Sequence, residues 1–199
     1  MPASVVIALH YQNDVLHPDG KIRVGLGAED SARSSLLDAA GRLLGGARAR
    51  RWPIIHVRVA FRPDYADLLQ NAPILRNVAA IGAVQEGSWG AEFFSDLAPL
   101  ANSDELSVTH QRINAFYGSP LEQLVHKFRA QRLLIAGVAT HSVVESTVRH
   151  AVDCGFEVTV AADACACADA AAHTASLASM ALIARVCDVD QALQWEDAA

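Results

Sequence analysis

The stretch that most constrains the fold is 133–151, LLIAGVATHSVVESTVRHA. Its apolar run Leu133, Leu134, Ile135 and Ala136 is too short for a buried helix and stops at Gly137. Apolar residues then return at helical spacing as Val144, Val148, Ala151 and Val152. A strand without polar alternation belongs to a parallel sheet covered on both faces, so this strand-turn-helix unit points to an α/β chain. Ser142 and Glu145 stand three apart in a capping-box pattern, which predicts a helix start near Val143. Backbone N–H groups at such a start attract anions and oxyanions. The turn therefore marks a place for chemistry, although its residue at the helix start, Val143, offers no nucleophile.

The same alternation recurs along the chain. Strands are predicted at Ser4–Leu9, Ile54–Val59, Leu106–Thr109, Leu133–Ala136, Glu157–Ala161 and Ala184–Val189. Helices are predicted near Ser31–Arg50, Pro120–Ala130, Val143–Cys154 and Ala170–Leu182. The expected architecture is a single Rossmann-like, three-layer α/β domain over 1–199, with a mainly parallel six-stranded sheet flanked by helices. Segment 61–90 shows little periodicity and two prolines, and reads as a lid or interface segment. Its apolar residues Leu68, Leu69, Ile74, Leu75, Val78, Ile81 and Val84 are too numerous for a solvated loop, so a homo-oligomer is expected to cover them, the alternative being that they fold back onto their own domain as an extra helix.

Composition narrows the partners. A net charge of −6 argues against nucleic acid, because phosphate binding needs a basic face. Arg48, Arg50 and Arg51 read instead as a helix C-terminus meeting its dipole. No apolar run is long enough to span a bilayer, and 1–6 lacks the basic region of a signal peptide, so a cytoplasmic protein without membrane contact is expected. The four cysteines, Cys154, Cys165, Cys167 and Cys187, then read as free thiols, none of them at the turn.

Three segments together resemble the isochorismatase-like family, often called cysteine hydrolases. Gly137, Val138, Ala139, Thr140, Val144, Thr147 and Arg149 match its turn and helix. ALHYQNDVLHPD (8–19) matches its first strand through Gln12, Asn13 and Asp14. VTHQRINAFYGSPLEQL (108–124) agrees at Thr109, Arg112, Ala115, Phe116, Ser119, Pro120 and Leu121, and GSWGAEFF (87–94) and DACA (163–166) are also family-like. The resemblance implies the isochorismatase-like hydrolase fold and a cis peptide around Val138–Ala139. It also places the family's catalytic Asp, Lys and Cys at His10, His110 and Val143.

Ligands of an open parallel sheet bind beyond the carboxyl ends of its strands, so these three positions are expected to converge on one cleft. Val143 has no lone pair, which removes covalent catalysis at that atom. Both charged positions carry histidine, the side chain that exchanges protons near neutral pH. An imidazolium beside a neutral imidazole would supply acid and base together. His10 and His110 are thus the catalytic candidates, for hydrolysis, isomerisation or elimination on a small organic metabolite. The alternative is a pseudoenzyme that binds a small ligand on the same fold.

Substrate-binding candidates are Gln12, Arg58, Arg62, Trp89, Phe116, Tyr117, Thr140, His141, Ser142 and Val143. The arginines suit a carboxylate, and Phe116 and Tyr117 suit an aromatic wall. His10, His110 and His141 come from separate segments without a compact ligand motif, so no metal and no cofactor is assigned. His56 reads as a core-side strand residue, and His126, His150 and His173 as helix-surface positions.

Overall fold

The computed structural model describes residues 3–23, 31–101 and 103–194. The strands are β1 (Ala3–Leu9), β2 (Ile54–Val59), β3 (Leu106–His110), β4 (Ala130–Val138), β5 (Glu157–Ala166) and β6 (Arg185–Cys187). They form one sheet in the order β3-β2-β1-β4-β5-β6, and every pairing is parallel. β1 and β4 sit at the centre, which is why Val5, Val6, Ile7, Leu133, Leu134 and Ile135 are buried on both faces.

The helices are α1 (Asn13–Leu16), α2 (Ser31–Ala49), α3 (Pro73–Ala80), α4 (Leu121–Lys127), α5 (Glu145–Asp153), α6 (Ala170–Met180) and α7 (Val189–Leu193). Leu36, Ala40, Leu43, Leu44 and Ala47 recur at three- and four-residue spacing and bury one face of α2. Asp169 caps α6 by accepting from the N–H groups of Ala171 and Ala172. Arg48 does more than meet a helix dipole. Its Nε and a terminal nitrogen grip both oxygens of Glu105 at 2.7 and 3.1 Å, and His56 Nε2 joins Glu105 at 2.8 Å, tying α2 to β2 and the entry of β3.

Segment 61–90 is no featureless loop. Pro73 occupies the first turn of α3, where its missing N–H costs nothing, and Leu75 and Val78 lie one turn apart on the buried face. With Phe61, Leu68, Ala83 and Val84 they make a small core of their own beside the main one. Four of the seven apolar residues expected under a partner surface, Leu68, Leu75, Val78 and Val84, are thus covered by the chain itself, while Leu69, Ile74 and Ile81 stay exposed.

The Gln12-Asn13-Asp14 run fastens this segment to the sheet. Gln12 is fully buried; its Nε2 donates to the Val59 and Ala91 carbonyls and its Oε1 accepts from Val59 N–H. Asn13 donates to the Trp89 carbonyl, and the Asp14 carboxylate accepts from the N–H groups of Val84 (2.7 Å) and Lys21 (3.0 Å). Gly90 packs so close that a Cβ there would sit 2.2 Å from an Asp14 oxygen.

Candidate functional site

Strand ends build the site. His10 follows β1, and His110 closes β3, with β2 lying between those two strands. Second-neighbour strands are about 9.6 Å apart, a gap that two imidazoles reaching toward each other across the end of β2 can close. They do so: the two Nε2 atoms are 2.5 Å apart, with ring centroids at 4.8 Å. His10 adopts a left-handed backbone (φ 57°) while its N–H still reaches the Val57 carbonyl, so the chain turns sharply at the point where the ring is presented.

The third strand end is that of β4. Gly137 has φ 148°, and a Cβ there would meet the Leu9 carbonyl oxygen at 2.2 Å, so only glycine lets β4 run this close to the residue before His10. A cis peptide joins Val138 to Ala139, as the resemblance implies. The next helix does not start with a capping box. A single wide turn over Thr140–Val144 precedes α5, and no side chain caps it. Glu145 is engaged elsewhere, accepting from Ser176 Oγ at 2.6 Å and from Arg149 at 2.7 Å.

His10, Val138, Ala139, His141, Ser142 and Val143 line a cavity of about 300 Å³. Its other walls come from Val15 of α1, Ile22, Val59, Phe61, four residues of α3 (Ile74, Leu75, Asn77 and Val78), the Arg112–Ile113 pair and Ala168. His110 does not line it. It is 2% exposed and stands behind His10. The sheet thus brings His10 and Val143 to one cavity and holds His110 against the back of His10.

Burial, more than any charge, sets the protonation of this pair. Desolvation pushes His110 down to about 4, against a smaller pull upward from the Asn114 carbonyl. His10 lies well below the ordinary imidazole value, first through burial and then through His110, with the Val138 carbonyl opposing. The imidazolium-imidazole pair expected at neutral pH is therefore replaced by two neutral rings. His110 Nδ1 faces the Asn114 carbonyl at 3.3 Å. A proton on that nitrogen leaves His110 Nε2 as the acceptor for a proton on His10 Nε2, an assignment made from the hydrogen-bond network.

Most of the other expected contacts lie elsewhere. Gln12 is spent on the backbone of 59–91. Arg58 donates to Thr109 Oγ1 across the sheet, and Arg62 pairs with Asp64. Trp89 is 47% exposed and meets His17 edge-on, while Tyr117 is 68% exposed. Phe116 is buried and stacks on His150 at 4.9 Å. Thr140 is fully buried, and its Oγ1 meets His173 Nδ1 at 2.8 Å, so His173 is more than a surface residue. The α3 wall comes from the segment read as a lid or interface, whereas the Arg112–Ile113 pair was not among the expected site residues. Arg112 carried a signal, since it matches the family-like segment. The buried Cys165 thiol is pushed up to about 12 by desolvation and is no substitute nucleophile. Among the described residues no three His, Cys, Asp or Glu side chains cluster as metal ligands, and no helix is long and apolar enough to cross a membrane.

Comparison with known proteins agrees with this architecture. The chain superposes on a crystal structure of an isochorismatase family protein from Desulfovibrio vulgaris with a TM-score of 0.83, at 21% identity, over 98% of this chain and 100% of that one. It is 30% identical over 159 residues to an uncharacterized isochorismatase family protein of Escherichia coli O157:H7, covering 79% of this chain and 81% of the relative. It is 33% identical over 101 residues to a probable inactive nicotinamidase of Arabidopsis thaliana, covering 50% of this chain and 51% of that protein. The isochorismatase domain model matches residues 4–191, and with the fold and the strand-end cavity already in place the chain belongs to the isochorismatase family.

Proposed function

We propose that this isochorismatase-family protein performs cysteine-independent acid–base chemistry on a small organic metabolite, with His10 exchanging the proton and His110 positioning it. The observation that carries this reading is the 2.5 Å contact between the two Nε2 atoms beside a cavity lined by Val143, the position to which the resemblance assigns the family's nucleophile. His10 touches the cavity, so it is the group that meets substrate. His110, held by the Asn114 carbonyl, fixes the His10 tautomer much as a buried carboxylate orients the histidine of a hydrolytic triad, but without negative charge. A proton taken up by the His10 ring can be shared through the Nε2–Nε2 contact with His110, so the charge is spread over two rings. This supports proton transfer with water or within the substrate, and no acyl-enzyme.

The second reading is a binding protein without turnover, favoured by Val143 and by the relative described as a probable inactive nicotinamidase. A metabolite pool incubated with wild-type protein and with His10→Ala/His110→Ala separates the two. Product formed by the wild type and lost in the double variant supports catalysis; ligand depletion without product refutes it and supports binding. We also propose self-association through the face carrying Leu69, Ile74 and Ile81. A strictly monomeric mass by light scattering at micromolar concentration would refute that.

A further inference from the structure

Apart from His10, His141, Ser142 and Asn77, the cavity wall is built of apolar side chains, backbone and one fixed charge. That charge is Arg112. Its guanidinium donates to the Leu69 carbonyl at 3.4 Å and to Asn71 Oδ1 at 3.1 Å, two neutral acceptors. Among the described residues no carboxylate lies within ion-pair distance of it, although six arginine–carboxylate pairs form elsewhere. Among the described residues no Asp or Glu lines the cavity either. The chain as a whole carries −6, so a carboxylate-free cavity edged by an uncompensated arginine is a local reversal of the protein's charge. Five N–H donors in a planar fork, two of them used, leave room for a planar anion.

We propose that the cavity takes a monocarboxylate with an apolar body, its carboxylate on Arg112 and its body against Val15, Ile22, Leu75, Val78 and Val143. This names the substrate class for the site described under the proposed function and rests on that reading for the chemistry after binding. One fixed cation balances one negative charge; a dicarboxylate would leave its second charge unpaired in a largely apolar enclosure, and a cationic ligand would find no carboxylate as counter-charge. A cavity of about 300 Å³ is at the small end of ligand sites, which suits a body of one ring and a short chain.

The test uses hydrocinnamate as the carboxylate probe, its amide as the neutral isostere and phenylsuccinate as the diacid, each titrated calorimetrically into wild-type protein. Hydrocinnamate should bind at least tenfold tighter than hydrocinnamide, and tighter than phenylsuccinate, the range expected of a charge-assisted hydrogen bond. Raising the salt concentration should weaken the carboxylate and leave the amide unchanged. Arg112→Gln should bring carboxylate and amide within about threefold, while Arg112→Lys should retain part of the preference. Amide binding within about threefold of the carboxylate in wild-type protein, or no binding of any probe at millimolar concentration, overturns the proposal without reference to how a variant folds. His10→Gln should keep the carboxylate preference. Absence of turnover by wild-type protein that shows that preference would therefore count against the acid–base reading alone, whereas turnover by a protein indifferent to ligand charge would count against the carboxylate assignment alone.

Discussion

Mild acid should destabilise this protein through the His10–His110 pair before most carboxylates titrate. Unfolded, both imidazoles have ordinary values near 6.5. Folded, His110 is pushed down to about 4 by burial and His10 is displaced in the same direction. Between those values the unfolded chain binds protons that the native state refuses, so stability is complete above the unfolded value and is lost as pH falls toward the folded one. For His110 the difference, at 1.36 kcal/mol per pKa unit, sets a ceiling of roughly 3 kcal/mol, of which about 2 kcal/mol is gone by about pH 5. In a domain of this size that corresponds to a fall of about 4–8 °C in Tm.

Thermal melts of wild-type protein and of His10→Asn/His110→Asn, taken from about pH 8 down to about pH 5, measure it. The wild type should lose several degrees more than the double variant over that range. His56 and His173, also held below their ordinary values by burial, are present in both proteins and cancel in the comparison. Parallel loss of Tm in the two proteins would refute the description of the pair as buried and neutral.

Two other outcomes are expected from packing and charge. Val143→Cys alone should give no amide hydrolysis above buffer, because burial disfavours the imidazolium that must form at His10 when a thiol gives up its proton; His10→Asp/His110→Lys/Val143→Cys should show weak activity. Robust amidase activity in the single variant would mean that the histidines already activate a thiol. Gly90→Ala should cost roughly 2–4 kcal/mol in urea unfolding, since its Cβ would displace the Asp14 carboxylate from Val84 and Lys21; a change below about 0.5 kcal/mol would show that Asp14 moves without loss.

Much of the fold is legible in the sequence because a fully buried parallel strand admits almost no polar residue. Runs such as Val5–Leu9 and Leu133–Ala136 stand out for that reason, and β1, β2 and β4 lie where those runs are. Short elements leave a weaker trace. α3 is eight residues long and buries two side chains, Leu75 and Val78, which is less than the repeat needed to separate helical spacing from chance. The capping box failed for a different reason. Ser142 and Glu145 have the right spacing, but a glutamate with both Arg149 and Ser176 in reach gains more from those partners than from a backbone N–H.

The site divides along the same line. The pairing of His10 with His110 could be read from the sequence because both end parallel strands, and every parallel strand delivers its end to one edge of the sheet. What could not be read is which face of that edge each side chain takes. Register shows Val59 beside His110 and Leu9 beside Val57, so His10 lies one step past the ladder, free to turn inward with a positive φ. That step puts His10 on the cavity and leaves His110 behind it, so two equivalent-looking histidines take different places, one lining the cavity and one buried against it. Arg112 escaped for the converse reason. Arginines near a strand end look alike in sequence, and only the fold shows that Arg62 is neutralised by Asp64 while Arg112 faces neutral acceptors and the cavity. Charge without a carboxylate partner, rather than charge itself, is what singles out Arg112 here, and it becomes visible only once the chain has closed around it.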